Sequence, residues 1–188
     1  MIDLLTLEKQ FILPHIRKGG TVCDFTMGNG HDTLWLSRQV GENGRVYAFD
    51  IQQQAVYSTM QFLQKENAPM NYTLICDSHA NAASYVKEKI CAGMFNLGYL
   101  PGGDKKITTL RTSTMKAVET AVDLLEEGGG LLIAVYPGHE EGNLEGEMLT
   151  EYFSSISRFS LCCSCFKIVN SPTSPFFFLI EKREKKEE

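Results

Sequence analysis

Apolar residues along the chain fall into short runs that alternate with stretches of helical spacing. The run at 22–27 (VCDFTM) is β-prone. Over 32–40 the spacing turns helical and sets Leu34, Trp35 and Leu36 toward a sheet, until GENG breaks it. RVYAFDI (45–51) predicts a second strand. A helix follows over 52–67 with Ala55, Val56, Met60 and Leu63 on one face, and ENAPMN ends it. YTLICD (72–77) predicts a third strand, 79–90 a helix, and 93–100 contains a fourth strand. A long polar loop at 101–114 (PGGDKKITTLRTST) interrupts the rhythm, and such loops are often functional. A helix over 112–126 ended by GGG, a fifth strand at 131–137 and a helix over 144–157 come next. CCSCFKIVN and FFFLIEKR then read as two strands joined by the turn stretch SPTSP, which leaves no room for a helix, so an antiparallel hairpin closes the chain.

Five strand–helix units and a closing hairpin predict an α/β fold. Its sheet is mostly parallel, with seven strands and helices on both faces. The 188 residues suit a single domain, 1–188, with an amphipathic N-terminal helix in 1–20 and a solvated tail at 182–188. The first twenty residues carry acids and no small-residue cleavage site, and no apolar run is long enough to span a bilayer. The expected setting is therefore cytoplasmic, with no membrane partner. Of six cysteines, Cys23, Cys76 and Cys91 are expected in apolar packing. Adjacent Cys162 and Cys163 would point to opposite faces of a strand, so CCSC is not expected to hold metal. The net charge of −5 gives no general attraction to nucleic acid, so an RNA substrate would need a local basic patch.

The candidate chemistry lies where predicted strands end. DFTMGNGHDT (24–33) follows the first strand. Gly28 and Gly30 let the backbone turn sharply and approach a ligand closely. Asp50 ends the second strand and can accept from both hydroxyls of a ribose. Thr33 stands where a dinucleotide fingerprint has its third glycine, and Asp32 places negative charge where a pyrophosphate would sit. S-adenosylmethionine carries a ribose, an adenine and cationic groups but no phosphate. Asp24 and Asp32 suit the cations, and Asp77 with Ser78 or His79 suits the adenine amino group. After the fourth strand, NLGYLPGG (96–103) partly matches the Asp/Asn-Pro-Pro-Tyr motif of amino-group methyltransferases. Asn96 and Tyr99 are kept, with Leu97 and Gly98 in place of the prolines. In-line displacement at a methyl carbon needs a neutral amine, and His139 or Asp104 on the same rim are candidate bases. Lys105, Lys106 and Arg111 on the long loop form the candidate basic patch.

DFTMGNGHDTLWLS, AFDIQ, NLGYLPGGDK and YPGHEEG together resemble the YtqB-like family of rRNA-methylase-type proteins, from about residue 20 to the C-terminus. Phe25 stands where that family usually has a small residue. The resemblance implies a Rossmann-like class I methyltransferase fold and S-adenosylmethionine as donor. It also implies, as in MnmM-type members, methylation of the 5-aminomethyl group of (2-thio)uridine at the tRNA wobble position by a homodimer. Carried over by position, Asn29, Asp32, Asp50, Gln52, Asp77 and His79 would hold the cofactor. Asn96, Gly98, Tyr99, Leu100 and Pro101 would frame the transfer site, with Tyr136 and His139 facing the target nucleotide. The alternatives are an rRNA or small-molecule methyltransferase, or a protein that binds S-adenosylmethionine without catalysis. A nicotinamide-dependent enzyme is opposed by Thr33 and Asp32.

Overall fold

The computed structural model describes residues 4–100, 102, 108–138 and 140–184. Their elements run in chain order as α1 (Leu4–Ile12), β1 (Thr21–Asp24), α2 (His31–Val40), β2 (Arg45–Asp50), α3 (Gln53–Lys65), β3 (Tyr72–Cys76), α4 (Ala82–Tyr85), β4 (Ile90–Asn96), α5 (Arg111–Leu124), β5 (Leu125–Val135), α6 (Glu140–Ser155), β6 (Leu161–Phe166) and β7 (Phe176–Lys182). The seven strands form one sheet in the order β3-β2-β1-β4-β5-β7-β6. The pairs among β1 to β5 are parallel, and β7 runs antiparallel to both β5 and β6. From β1 the chain winds outward through β2 and β3, then crosses back to lay β4 on the other side of β1. The order reverses there, and a crevice opens beyond the carboxyl ends of β1 and β4.

The central strands are buried on both faces, as their near-continuous apolar runs require. One face packs Phe25, Phe49, Phe95 and Ile133 against Val86, Ala117, Ala121, Leu149 and Phe153 of α5, α6 and the α4 region. The other packs Val22, Val46, Met94 and Leu132 against Ile12 of α1 and Leu36 and Val40 of α2. Among the described residues no helix is long and apolar enough to cross a membrane.

Three segments depart from the pattern-based reading. The helix expected over 79–90 shrinks to one 3-10 turn at His79–Asn81, which Ser78 caps by accepting from the Ala80 N–H, followed by the single turn of α4. Val86 is already extended, and β4 starts at Ile90. The glycines at 128–130 lie inside β5 instead of ending α5. A Cβ on Gly130 would sit 2.6 Å from the His15 ring, so glycine there lets the segment after α1 lie against the strand. α6 begins at Glu140, earlier than expected, because Glu140 and Glu141 in its first turn complement the positive end of the helix dipole. Of the cysteines, Cys23 and Cys91 are buried, whereas Cys76 and Cys165 are exposed, so apolar packing does not account for all six.

One buried polar residue ties α2 to β3. Asn71 accepts from the Ser37 hydroxyl at 2.7 Å and donates to the Ser37 and Gly41 carbonyls at 3.0 and 2.7 Å, closing the C-terminal end of α2. Asn71→Ala takes the side-chain donor from the Gly41 carbonyl and the shortest acceptor from the Ser37 hydroxyl, which keeps the Pro69 carbonyl at 3.4 Å, and is expected to cost roughly 1–2 kcal/mol. Urea unfolding measures it, and a change below about 0.5 kcal/mol would refute the assignment.

Candidate functional site

Beyond the carboxyl ends of β1 to β5 lies a cavity of about 980 Å³, at the upper end of the size of small-molecule sites. The turn after β1 forms its floor. Gly30, at φ +84°, caps α2, and a Cβ there would meet the Thr59 side chain at 2.7 Å. The Thr59 hydroxyl donates to the Gly28 carbonyl at 2.9 Å, while the Gly28 N–H donates to Asp50 at 3.1 Å. The turn is thus pinned between α3 and the end of β2, with glycine at the two positions where a side chain has no room or no accessible backbone angle.

Asp50 ends β2 and lines the cavity. Its carboxylate accepts from the Gln52 N–H at 2.9 Å as well as from Gly28, and burial raises its pKa above the usual carboxylate value. Asp77, also in the wall, is lowered, chiefly by the Tyr85 hydroxyl and then by Asn81 and the Ser78 N–H. Both Asp77 oxygens are therefore engaged before any ligand arrives. His79 is buried, with Nδ1 3.0 Å from the Phe25 carbonyl. A carbonyl only accepts, so Nδ1 carries the proton, and burial lowers the pKa and holds the ring neutral. Nε2 is left as a lone-pair acceptor on a residue of the cavity wall.

Asn96, the last residue of β4, lines the cavity and is held from three sides. Its N–H donates to the Thr26 hydroxyl oxygen at 2.6 Å, its Nδ2 donates to Asp32 at 2.7 Å, and its Oδ1 accepts from the Tyr136 hydroxyl at 3.0 Å. Gly98, Tyr99, Leu100, Tyr136, Gln52, Ser78 and Gly28 share the wall. The strand-end reading therefore brings these predicted residues together.

Other expectations are corrected. Asp24 does not line the cavity. It is 1% exposed beneath the turn, and its oxygens accept from the Thr33 hydroxyl at 2.6 Å and the Thr26 N–H at 3.2 Å. Burial, reinforced by Asp32 nearby, pushes its carboxyl up to about 7. Asp32 is set back from the wall, taken by Asn96 and by Lys9 at 2.7 Å. Asn29 and Gly30 belong to the turn without lining the cavity. Arg111, expected on a basic patch, instead pairs with Glu141, its Nε donating at 3.1 Å and its N–H at 3.0 Å. Pro101, Asp104, Lys105, Lys106 and His139 lie outside the described residues.

Several residues went unnoticed in the sequence. Thr108, Thr109 and Leu110 reach the cavity from the loop before α5, Ser113 from its first turn, and Thr173 and Pro175 from the β6–β7 turn. Thr109 works as a clasp. Its N–H donates to the Gly98 carbonyl and its Oγ1 accepts from the Gly98 N–H, both at 2.9 Å, while its hydroxyl donates to buried Glu145 at 2.8 Å. Glu145 also accepts from Thr114 at 2.6 Å, so α5 and α6 fix both ends of the long loop. Phe25 fills the space of a smaller residue by stacking on Phe95 at 4.3 Å. Among the described residues no group of three or more His, Cys, Asp or Glu is arranged to hold a metal ion.

The protonation of Asp24 sets a pH dependence. Its value is about 7 in the folded protein against an ordinary 3.8. Between those limits the folded state keeps a proton the unfolded state has lost, so rising pH lowers stability through that window, by at most about 1.4 kcal/mol per pH unit. Urea unfolding at pH 5 and pH 8 is expected to show a smaller fall for Asp24→Asn than for the wild type. Equal falls would refute the assignment, and the difference cancels contributions from Asp50 and His79.

Residues 46–182 match the family model described as "Putative rRNA methylase". A chloroplastic tRNA (mnm5s2U34)-methyltransferase of Arabidopsis thaliana is 38% identical over 181 residues, covering 90% of this chain and 65% of that protein, so the chain spans about two-thirds of that relative's length. A solved structure from Clostridium thermocellum with the same rRNA-methylase description is 36% identical at a TM-score of 0.93, covering 97% of this chain and 98% of that one. A Streptococcus mutans protein solved in complex with SAH is 34% identical at a TM-score of 0.87, covering 97% and 99%.

Proposed function

The chain belongs to the rRNA-methylase family, and from that premise we propose that it is an S-adenosylmethionine-dependent N-methyltransferase. We take its substrate to be the 5-aminomethyl group of (2-thio)uridine at the wobble position of tRNA. The observation that carries this reading is Asn96, an amide acceptor fixed at the end of β4, in one cavity with the Asp50 carboxylate at the end of β2. The likeness to the Arabidopsis tRNA enzyme supports the choice of substrate. A homodimer in the cytoplasm is part of the same proposal, and the family resemblance is its support.

The residues present fit such a donor. The cavity is large enough for a nucleoside with an amino-acid tail, and its carboxylates suit a phosphate-free, positively charged molecule. Asp50 would accept from ribose hydroxyls, and His79 Nε2 would accept from the adenine amino group. The glycine turn would let backbone approach the amino-acid tail. When bound, the donor supplies an electrophilic methyl carbon on a good leaving group.

The chain's own contribution is positioning and control of the amine's charge. An alkylamine with an ordinary pKa near ~10 enters as a cation and must release its proton to solvent before its lone pair attacks the methyl carbon and displaces the thioether. Carboxylates in the cavity wall favour its entry, and the apolar part of the lining favours its neutral form. Asn96 Oδ1 has two lone pairs, of which Tyr136 takes one, leaving the other to accept an N–H of the amine and aim its lone pair. Tyr99 and Leu100 offer apolar surface to the nucleobase.

The test uses labelled S-adenosylmethionine with tRNA lacking the final wobble methyl group, followed by digestion and mass identification of the nucleoside. Label in 5-methylaminomethyl-uridine or its 2-thio form is expected. Label on rRNA or a small metabolite, with none on tRNA, overturns the reading. Asp50→Ala removes a charged hydrogen-bond acceptor and should weaken cofactor binding by roughly 1.5–3 kcal/mol. Calorimetric titration measures this, and unchanged affinity refutes the assignment of Asp50 to the ribose.

A further inference from the structure

We propose that Lys9, on α1, is a positioning residue for methyl transfer: acting through Asp32, it fixes which face of the Asn96 amide looks into the cavity. This rests on the reading of Asn96 as acceptor for the target amine. Lys9 lies outside the span matched by the family model and does not line the cavity. Its Nζ stands 2.7 Å from Asp32 Oδ1 and 5.5 Å from the centre of the Trp35 ring, so two independent contacts place it. Neither partner is a loose surface charge, with side-chain exposures of 31% for Lys9 and 19% for Asp32. α1 itself is anchored by fully buried Ile12, which packs in the core over β5 and β7.

From Lys9 a single line of contacts runs to the reaction site. Asp32 Oδ2 receives Asn96 Nδ2 at 2.7 Å, and Asn96 Oδ1 receives the Tyr136 hydroxyl at 3.0 Å. A carboxylate has only lone pairs to offer, so the amide must turn its NH2 toward Asp32 and its oxygen toward Tyr136 and the cavity. The opposite orientation would set oxygen against the carboxylate. It would also present N–H donors to the incoming amine, where they would bind the lone pair needed for attack. Asp32 lies close enough to buried Asp24 to disfavour its ionised form, so the Lys9 ammonium also supplies opposite charge to an acidic pair. Asp32 therefore orients Asn96 instead of holding the donor, in contrast to the role its position in the sequence suggested.

The experiment compares the wild type with Lys9→Met, which keeps the stem without the charge, and Lys9→Arg, which restores it. Lys9→Met is expected to lower kcat on tRNA by about tenfold or more, with KM for tRNA and SAH affinity by calorimetry within about threefold, and Lys9→Arg to recover most of the rate. An unchanged kcat, or a loss carried wholly by SAH affinity, overturns the proposal. A second readout needs no turnover: the Asn96 side-chain amide signals in 15N-labelled protein should shift in Lys9→Met and return in Lys9→Arg. If they stay fixed, the proposal fails whatever the substrate. A wild type that leaves tRNA unmethylated while Asn96 still responds to Lys9 sinks only the substrate reading.

Discussion

Where β1 leaves the sheet, the chain must turn away at once while leaving the carboxylate at the end of β2 open to a ligand, and the Gly28 N–H bonded to Asp50 meets both needs. The bond ties the turn to the neighbouring strand and fixes the carboxylate. Thr59 completes the brace by holding the Gly28 carbonyl and packing where Gly30 has no side chain. The floor of the cavity takes its place from this brace. Asp24 is sealed beneath it, α2 starts from it, and Asp32 on the first turn of α2 is brought beside Asn96. A displaced turn would move floor, carboxylate and amide together, because they are parts of one hydrogen-bonded unit.

Much of this was legible in the sequence for a physical reason. In a parallel sheet all strands end at one edge, so polar residues directly after apolar runs converge without any knowledge of tertiary contacts. Asp50, Asp77, His79 and Asn96 reach the cavity wall in that way, whereas Tyr136 came from the family resemblance. The failures share the opposite property. Asp24 ends β1 just as Asp50 ends β2, and only the course of the next residues decides that it is roofed over. Arg111 looked like a free cation because Glu141, thirty residues away, is brought to it by the packing of α5 on α6. Glu145 and Lys9 sit within ordinary helical patterns, where nothing marks one polar position as pointing inward. The 79–90 segment had helical spacing, but the extended backbone at Val86 cut it short.

The electrostatics of the edge also bear on the substrate. A chain with net charge −5 that spends Arg111 on Glu141 has little at that point to offer a phosphate backbone. The acids of the cavity nonetheless suit a target that arrives as an ammonium ion. Attraction to the reacting group and attraction to the backbone are separate terms. On the proposed reading the target amine must then give up its proton to solvent, which burial favours and neighbouring carboxylates oppose. Burial raises Asp50 and lowers His79 in the cavity wall, so on the proposed reading the same shielding penalises charge on the amine. On the proposed reading, carboxylates in the wall attract the ammonium form while burial favours the neutral nucleophile. That order requires an acceptor for the neutral amine that carries no charge of its own, because a carboxylate in that place would hold the ammonium form. An amide oxygen at the end of β4, oriented from behind by an ion pair that stays out of the cavity, meets this requirement.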